Sequence, residues 1–249
     1  WPSYAQIPES DLDHELFHVR QKVEQKSDSS KHYIEALVTE IGQLDNNELK
    51  SQYLLEIAQI SRKSRLYNFA IKIDSQVVIS ANISSDQRAL AYSGLGQTYR
   101  LRKKYDISLS HYKESIKYAT DSLTLFKAFN LLGTLQVYSL QNYNEVIQIL
   151  IDRSFKSVDA VQESKRSRLI GKCYYELAKQ NKDQEMFRMS LEYFFAAHDL
   201  VKDTNEYHEK RMSLSGVVNS YLNLGEFPEA IAVLLKVAEC DDNMINVSP

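Results

Sequence analysis

The sequence predicts an all-α protein, a right-handed α-solenoid of about six helical hairpins. The first ground is a recurring pattern between residues 53 and 238. An aromatic residue, a Leu and a small residue share one helix face, and the set returns about every 38 residues, most clearly in Tyr92-Ser93-Gly94-Leu95-Gly96-Gln97-Thr98-Tyr99. The second ground is the small supply of turn-forming residues: 7 Gly and 4 Pro stand against 16 Tyr in 249 residues. That is too few for a β-sandwich or a Gly-rich nucleotide loop. The third is a hydrophobic fraction of 43 %, enough for a continuous core.

Residues 10 to 44 read as a first helix pair within a 1–45 segment. Ser10 or Asp11 caps the first helix, and Ser27-Asp28-Ser29-Ser30 marks the turn. The array proper is placed at 46–240. Its copies align on the small residue after the signature Leu: Ala58, Gly96, Gly133, Gly171 and Val218, with spacings of 38, 37, 38 and 47. The excess in the fourth copy is expected around Gln180-Asn181-Lys182-Asp183-Gln184. Second helices carry a small and then a large residue: Ala70 and Asp74, Ser108 and Tyr112, Val146 and Leu150, Ser190 and Phe194, Ala230 and Leu234. Asp74 fits this pattern least. In the last copy Gly225 closes one helix and Pro228 falls in the first turn of the next. Residues 241–249 lose the pattern and are expected to fray.

With the repeats in place, residues 53–238 resemble a tetratricopeptide-repeat array, through the aromatic-x2-Leu-Gly-x2-Tyr core. The long copies and Tyr-rich composition resemble more narrowly the peptide-pheromone receptors of Gram-positive bacteria and their phages, the Rap and PlcR types. That resemblance implies a concave face that binds a short signalling peptide, and an amino-terminal DNA-binding or effector module under its control. The chain starts at Trp1 rather than Met, so such a module is expected upstream. No helix-turn-helix lies within these residues, so no direct nucleic-acid contact is assigned to them.

The inward face follows from helical spacing alone. Counting each anchor as position 8, positions 2, 5, 9 and 12 share one stripe, apart from the packing stripe at 4, 7, 8 and 11. The stripe reads Gln52, Leu55, Gln59 and Arg62; Leu90, Ser93, Gln97 and Arg100; Lys127, Asn130, Thr134 and Val137; Lys165, Arg168, Lys172 and Tyr175; Met212, Ser215, Asn219 and Leu222. Six of these twenty residues are Lys or Arg and none is acidic, in a chain with 33 acids against 30 bases. The expected ligand is therefore a short peptide or protein tail with carboxylates. Gln59, Gln97, Asn130 and Asn219 offer donors and acceptors to its backbone, and Arg62, Arg100 and Arg168 offer paired hydrogen bonds to its carboxylates. Lys127, Lys172 and Tyr175 complete the candidate set. The plainer reading is a solvated face whose charges keep the array soluble.

Other function classes weaken on inspection. A net charge of -3 gives no global attraction to nucleic acid. Cys173 and Cys240 lie far apart, which fits a reduced cytoplasmic setting, and no apolar run is long enough to span a bilayer. His14-Glu15-Leu16-Phe17-His18 matches the H-E-x-x-H zinc motif, with Glu35 or Glu40 as conceivable third ligands. Only thirteen residues precede it, however, leaving little room for a zincin scaffold. An amphipathic helix burying Leu12, Leu16, Val19 and Val23 explains the same residues. Cys173, beside Gly171, reads as a buried thiol, and Tyr193-Phe194-Phe195 as core. No nucleotide or hydrolase motif occurs, so neither cofactor nor catalytic residue is expected. Three readings remain, in order: the ligand-sensing part of a pheromone-responsive regulator, a scaffold docking a larger protein, and a zinc peptidase. A homodimer through Phe227, Ile231 and Leu235 is compatible with the first two.

Overall fold

The computed structural model describes residues 14, 16–18, 21, 30–151 and 159–247. Among them there is no strand, and the all-α class follows. The helices are α1 (Ser30–Ile41), α2 (Asn47–Lys63), α3 (Tyr67–Ile79), α4 (Ser85–Leu101), α5 (Tyr105–Tyr118) and α6 (Ser122–Leu135). A π-helical turn, Gln136–Leu140, continues α6. Then come α7 (Tyr143–Ile151), α8 (Ala160–Asn181), α9 (Gln184–Asp199), α10 (Tyr207–Leu224) and α11 (Phe227–Val247). Turns this short force neighbouring helices to pack as antiparallel hairpins. The chain forms two compact units, residues 1–128 and 129–249, with the division inside α6.

The turn inside each hairpin recurs. The helix ends on a residue in the left-handed region, at Arg65 (φ 61°), Lys103 (59°), Gln141 (59°), Lys182 (54°) and Gly225 (78°). In four copies the next N–H reaches five residues back: Leu66 to Ser61, Lys104 to Tyr99, Asp183 to Ala178 and Glu226 to Tyr221. This bond satisfies a carbonyl the helix end would leave orphaned. In the third copy the π-turn absorbs one more residue, and Asn142 N–H reaches Gln136 O. The left-handed residue falls seven positions after the anchor in three copies, eight in the third and eleven in the fourth. Part of the fourth copy's excess is therefore one added turn of α8, and the rest lies after α9 rather than around Gln180–Gln184. Gly225→Ala is expected to cost about 1 kcal/mol in urea denaturation, because nothing within 4 Å crowds an added Cβ and only the positive φ resists it.

In unit 1, Asn46 caps α2 by accepting from Glu48 and Leu49 N–H, and Ser84 with Gln87 forms a reciprocal capping box on α4. Ile34, Leu37 and Ile41 of α1 share one core with Tyr53, Leu54, Ile57 and Ala58 of α2 and with Ile73 and Val77 of α3. Leu16 joins the same core, while His14 and His18 are exposed. Small hydroxyls tie α4 to α5: Ser108 Oγ donates to Gly96 O at 2.7 Å and Ser115 Oγ to Ala89 O at 2.8 Å. A buried hydroxyl so paired lets helices approach as an alanine would, at no cost of an unmet donor.

In unit 2 one core joins Val137, Val146 and Leu150 to Leu169, Ile170, Cys173 and Leu177. A second joins Leu191 and Phe194 to Leu214, Val217, Val218 and Val233. Asp159 caps α8 and Asp183 caps α9. Helix α11 does not end where the repeat pattern does: it stays helical through Val247, past the 240/241 boundary expected for a frayed tail. Cys240 is still buried there, which anchors the added turns.

Candidate peptide-binding faces

Unit 1 presents the stripe residues of α2 and α4, which lie side by side. Gln59 is exposed, and Gln97, Arg100 and Lys127 are half-buried. Arg62 is engaged by the protein itself: Nη1 lies 2.5 Å from Asp74 Oδ2, with side-chain exposures of 11 % and 0 %. Asp74 comes from α3, outside the stripe, at the place where other copies carry a large hydrophobic residue. Its Oδ1 has no hydrogen-bond partner. Burial pushes its carboxyl up to about 7, although Arg62 pulls the other way. Gly94 makes room for the pair, since a Cβ there would sit 2.5 Å from Asp74 Oδ2 and 2.7 Å from Arg62 Nη1. Arg100 occupies Arg62's position one copy later. It has no ion pair among the described residues, and its Nε is buried and unpartnered.

Beside this face runs a ring column. Tyr118 stacks on Tyr92 at 5.4 Å, Tyr92 meets His111 at 6.0 Å, and His111 stacks on Tyr99 at 5.3 Å. Burial holds His111 below its usual pKa, so the neutral ring is the packed form.

Unit 2 builds its face from the π-turn, α8 and α10. Asn130 is buried and donates to Gln162 O at 3.0 Å, so its amide spans α6 and α8 rather than open groove. Arg168 Nη1 lies 3.4 Å from the Tyr138 hydroxyl, which the π-turn leaves exposed. Arg168 Nε is 3.4 Å from Glu209 Oε2, and Lys165 Nζ is 3.9 Å from Glu209 Oε1. The stripe positions are free of acid, but Glu209 of α10 stands against two of their cations. Lys172 Nζ binds Glu176 at 2.6 Å and lies 5.0 Å from the centre of the Tyr175 ring. Burial opposes ionisation of Glu176, yet the hydrogen bond and charge of Lys172, with Lys179, hold it below the usual range. Asn223 Nδ2 donates to the Tyr175 hydroxyl at 3.2 Å and to Asn219 O at 2.8 Å, while the Asn219 side chain is exposed. A shallow cavity of about 340 Å³ near the π-turn is lined by Gln141–Glu145, Leu177 and Gln180.

Four residues that matter here escaped the stripe: Asp74, Tyr138, Glu209 and Asn223. Glu209 lies three residues before Met212, so extending the stripe by one turn would have found it. Asp74 was marked by its misfit to the second-helix pattern. Nothing in the sequence announces the π-turn that exposes Tyr138.

For the zinc motif, the His14 and His18 rings meet edge to face with centroids 4.4 Å apart, and Glu15 lies outside the described residues. Among the described residues no group of three or more His, Cys, Asp or Glu is placed to hold a metal ion. Glu35 and Glu40 are exposed on α1. Burial pushes the Cys173 thiol up to about 12, which suppresses the thiolate a nucleophile needs. No described helix is long and apolar enough to cross a membrane.

No family model matches the chain. Over 140 residues it is 26 % identical to the uncharacterized protein ycf37 of Cyanophora paradoxa, covering 55 % of this chain and 69 % of that one. Among solved structures, BtubC (BKLC) from P. vanneervenii aligns with a TM-score of 0.58 at 13 % identity, covering 96 % of this chain and 94 % of that one. A Rap protein complexed with competence and sporulation factor aligns at 0.52 and 11 % identity, covering 95 % and 67 %. YrrB, described as a TPR protein with an unusual peptide-binding site, aligns at 0.51 and 14 % identity, covering 82 % and 91 %. The fold is thus of the tetratricopeptide kind and resembles that of Rap-type receptors.

Proposed function

We propose that this chain is a tetratricopeptide module that binds a short peptide or protein tail on its first-helix faces. The observation that carries the reading is the polar row of unit 2, in which Arg168 meets Tyr138, Asn223 bonds Tyr175 and Lys172 lies over the Tyr175 ring, while Asn219 faces solvent. Side chains fixed before the ligand arrives lose little entropy on binding. In unit 1, Gln59, Gln97 and Arg100 offer the same chemistry, with Arg62 beside them, and Lys127 is half-buried on α6. The likeness to YrrB and to the Rap complex supports peptide as the ligand class, and a role as the sensing part of a pheromone-responsive regulator is the finer form of the proposal. Catalysis has no part in it.

The test is thermal unfolding with pools of short peptides bearing free carboxylates. A ligand at about 100 times its dissociation constant adds about 2.7 kcal/mol, a plain upward shift in Tm. Arg168→Gln keeps a donor near Tyr138 but loses the charge, and is expected to weaken acidic peptides about tenfold or more. Unchanged affinity in that variant would remove Arg168 from the site.

A second reading has its own observation. Phe227, Ile231 and Leu235 lie on one face of α11 at 59 %, 61 % and 65 % exposure. An apolar face of this kind favours a protein partner or a second copy. Stable complexes with a folded protein, and no response to any peptide pool, would make the chain a scaffold.

A further inference from the structure

We propose that Asp74 is an internal ligand of Arg62: in the free protein its carboxylate holds the guanidinium edge that a bound peptide's carboxylate takes over, so binding exchanges one carboxylate for another. The inference rests on the peptide-binding reading and names the chemistry of the unit 1 site.

The placement of Asp74 is the first argument. It is fully buried at a second-helix position filled by Tyr112, Leu150, Phe194 and Leu234 in the other copies. A carboxylate in such a slot is retained for what it meets, and it meets one side chain, Arg62. Its second oxygen has no hydrogen-bond partner. The slot is shaped to admit it, because Gly94 leaves the space that any Cβ would take from both its oxygens.

The second argument is the charge around it. Helix α3 packs against α2 and α4. From α2 the facing charged group is Arg62. On α4, Arg88 is committed to the end of α3, bonding Val78 O and Ser80 O, and Arg100 has no ion pair among the described residues. Behind α4, the Tyr112 hydroxyl lies in the field of both Arg100 and Arg62. With Asp74 ionised, Arg62, Arg88 and Arg100 still leave the cluster two cations more than it has anions. An arriving carboxylate finds Arg100 without an acidic partner among the described residues, and Arg62 held by a single, incompletely satisfied rival.

The third argument is the proton balance. Once Arg62 turns to the ligand, Asp74 is left in an apolar slot with no counter-charge, and a buried carboxylate in that state protonates. Its carboxyl already titrates near about 7 with Arg62 in place, so the proton is cheap at neutral pH. Above about pH 7, where Asp74 is ionised in the free protein, binding therefore takes in one carboxylate and one proton, and below it the carboxylate alone. Affinity for carboxylate ligands falls about tenfold per pH unit above that range and levels off below it.

The experiment uses the full chain and two hexapeptide pools, one with free C-terminal carboxylates and one amidated, at pH 6.0 and 8.5. The acid pool is expected to bind the wild type at least tenfold more weakly at the higher pH. Calorimetry at pH 8.5 in two buffers of different ionisation enthalpy should show uptake of close to one proton per ligand, falling towards none at pH 6.0, where Asp74 is already protonated before binding. Asp74→Asn should bind the acid pool more tightly than wild type at pH 8.5 and lose the pH dependence, and Arg62→Gln should lose it along with most of the affinity. Proton uptake is measured on the wild type, so the proposal stays testable if Asp74→Asn does not fold. Acid-pool binding without pH dependence or proton uptake overturns the exchange and leaves the peptide reading standing. Binding of the amidated pool alone does the same. If neither pool binds any of these proteins, the peptide reading fails and the exchange with it.

Discussion

Tyr112→Ala is expected to lower the unfolding free energy by about 3–5 kcal/mol, the range for deleting a buried aromatic side chain. Tyr112 is among the largest fully buried side chains. Its ring lies against Gly96, where a Cβ would sit 2.5 Å from Cε1, so the two helices have closed on the ring as far as a hydrogen allows. Helices closed that far cannot collapse into the space it leaves, and the cavity term is paid in full. The hydroxyl behaves differently. It lies near Arg100 and Ser108 but meets neither in good hydrogen-bond geometry, and burial raises its pKa although both neighbours oppose the rise. Tyr112→Phe should therefore cost about 1 kcal/mol or less, since the hydroxyl meets Arg100 and Ser108 only in poor geometry. Urea denaturation of the two variants separates packing from polarity. A loss of about 2 kcal/mol or more in Tyr112→Phe would show that the hydroxyl is fully satisfied.

The same pairing shows what a sequence makes legible and what it hides. Helix pairs emerge from periodicity because packing repeats at every copy: Ala58, Gly96, Gly133 and Gly171 each lie where two helices meet, and all four are buried. The turns did not emerge with equal clarity, because the residue that needs a positive φ is Gly only at position 225 and is Arg, Lys, Gln or Lys elsewhere. Regular backbone bonding imposes the left-handed residue there, against side-chain preference. On the candidate face, helical spacing shows which first-helix residues share a stripe. It cannot show that Asp74 or Glu209 reaches that stripe from outside it, since such pairs depend on tertiary placement. Nor does it show that Asn130 is consumed by a bond to Gln162 O. A charge count along one helix face thus overstates the charge a ligand meets, and the correction is carried by acids on neighbouring elements.

Arg62→Gln is expected to cost about 2–3 kcal/mol at pH 8, less than the full loss for an uncompensated buried charge because the Asp74 carboxyl can protonate, and about 1 kcal/mol at pH 5. The sign follows from the raised pKa of Asp74. A carboxyl that titrates near about 7 when folded and near 3.8 when unfolded adds stability that is complete below the lower value and lost as pH rises through the upper one. Removing the guanidinium raises the folded value further, so in Arg62→Gln the loss continues above pH 7 where the wild type has levelled off. At pH 5 the carboxyl is protonated in both proteins, and what remains is one hydrogen bond, about 1 kcal/mol. Asp74→Asn should flatten this part of the profile. Arg62→Leu with Asp74→Leu should restore most of the stability at pH 8, because apolar side chains can replace a buried pair that neither partner survives alone. Urea denaturation midpoints between pH 5 and 9 measure all four proteins. A cost for Arg62→Gln that does not change with pH would mean that Asp74 stays ionised throughout, and would return the pair to an ordinary structural ion pair.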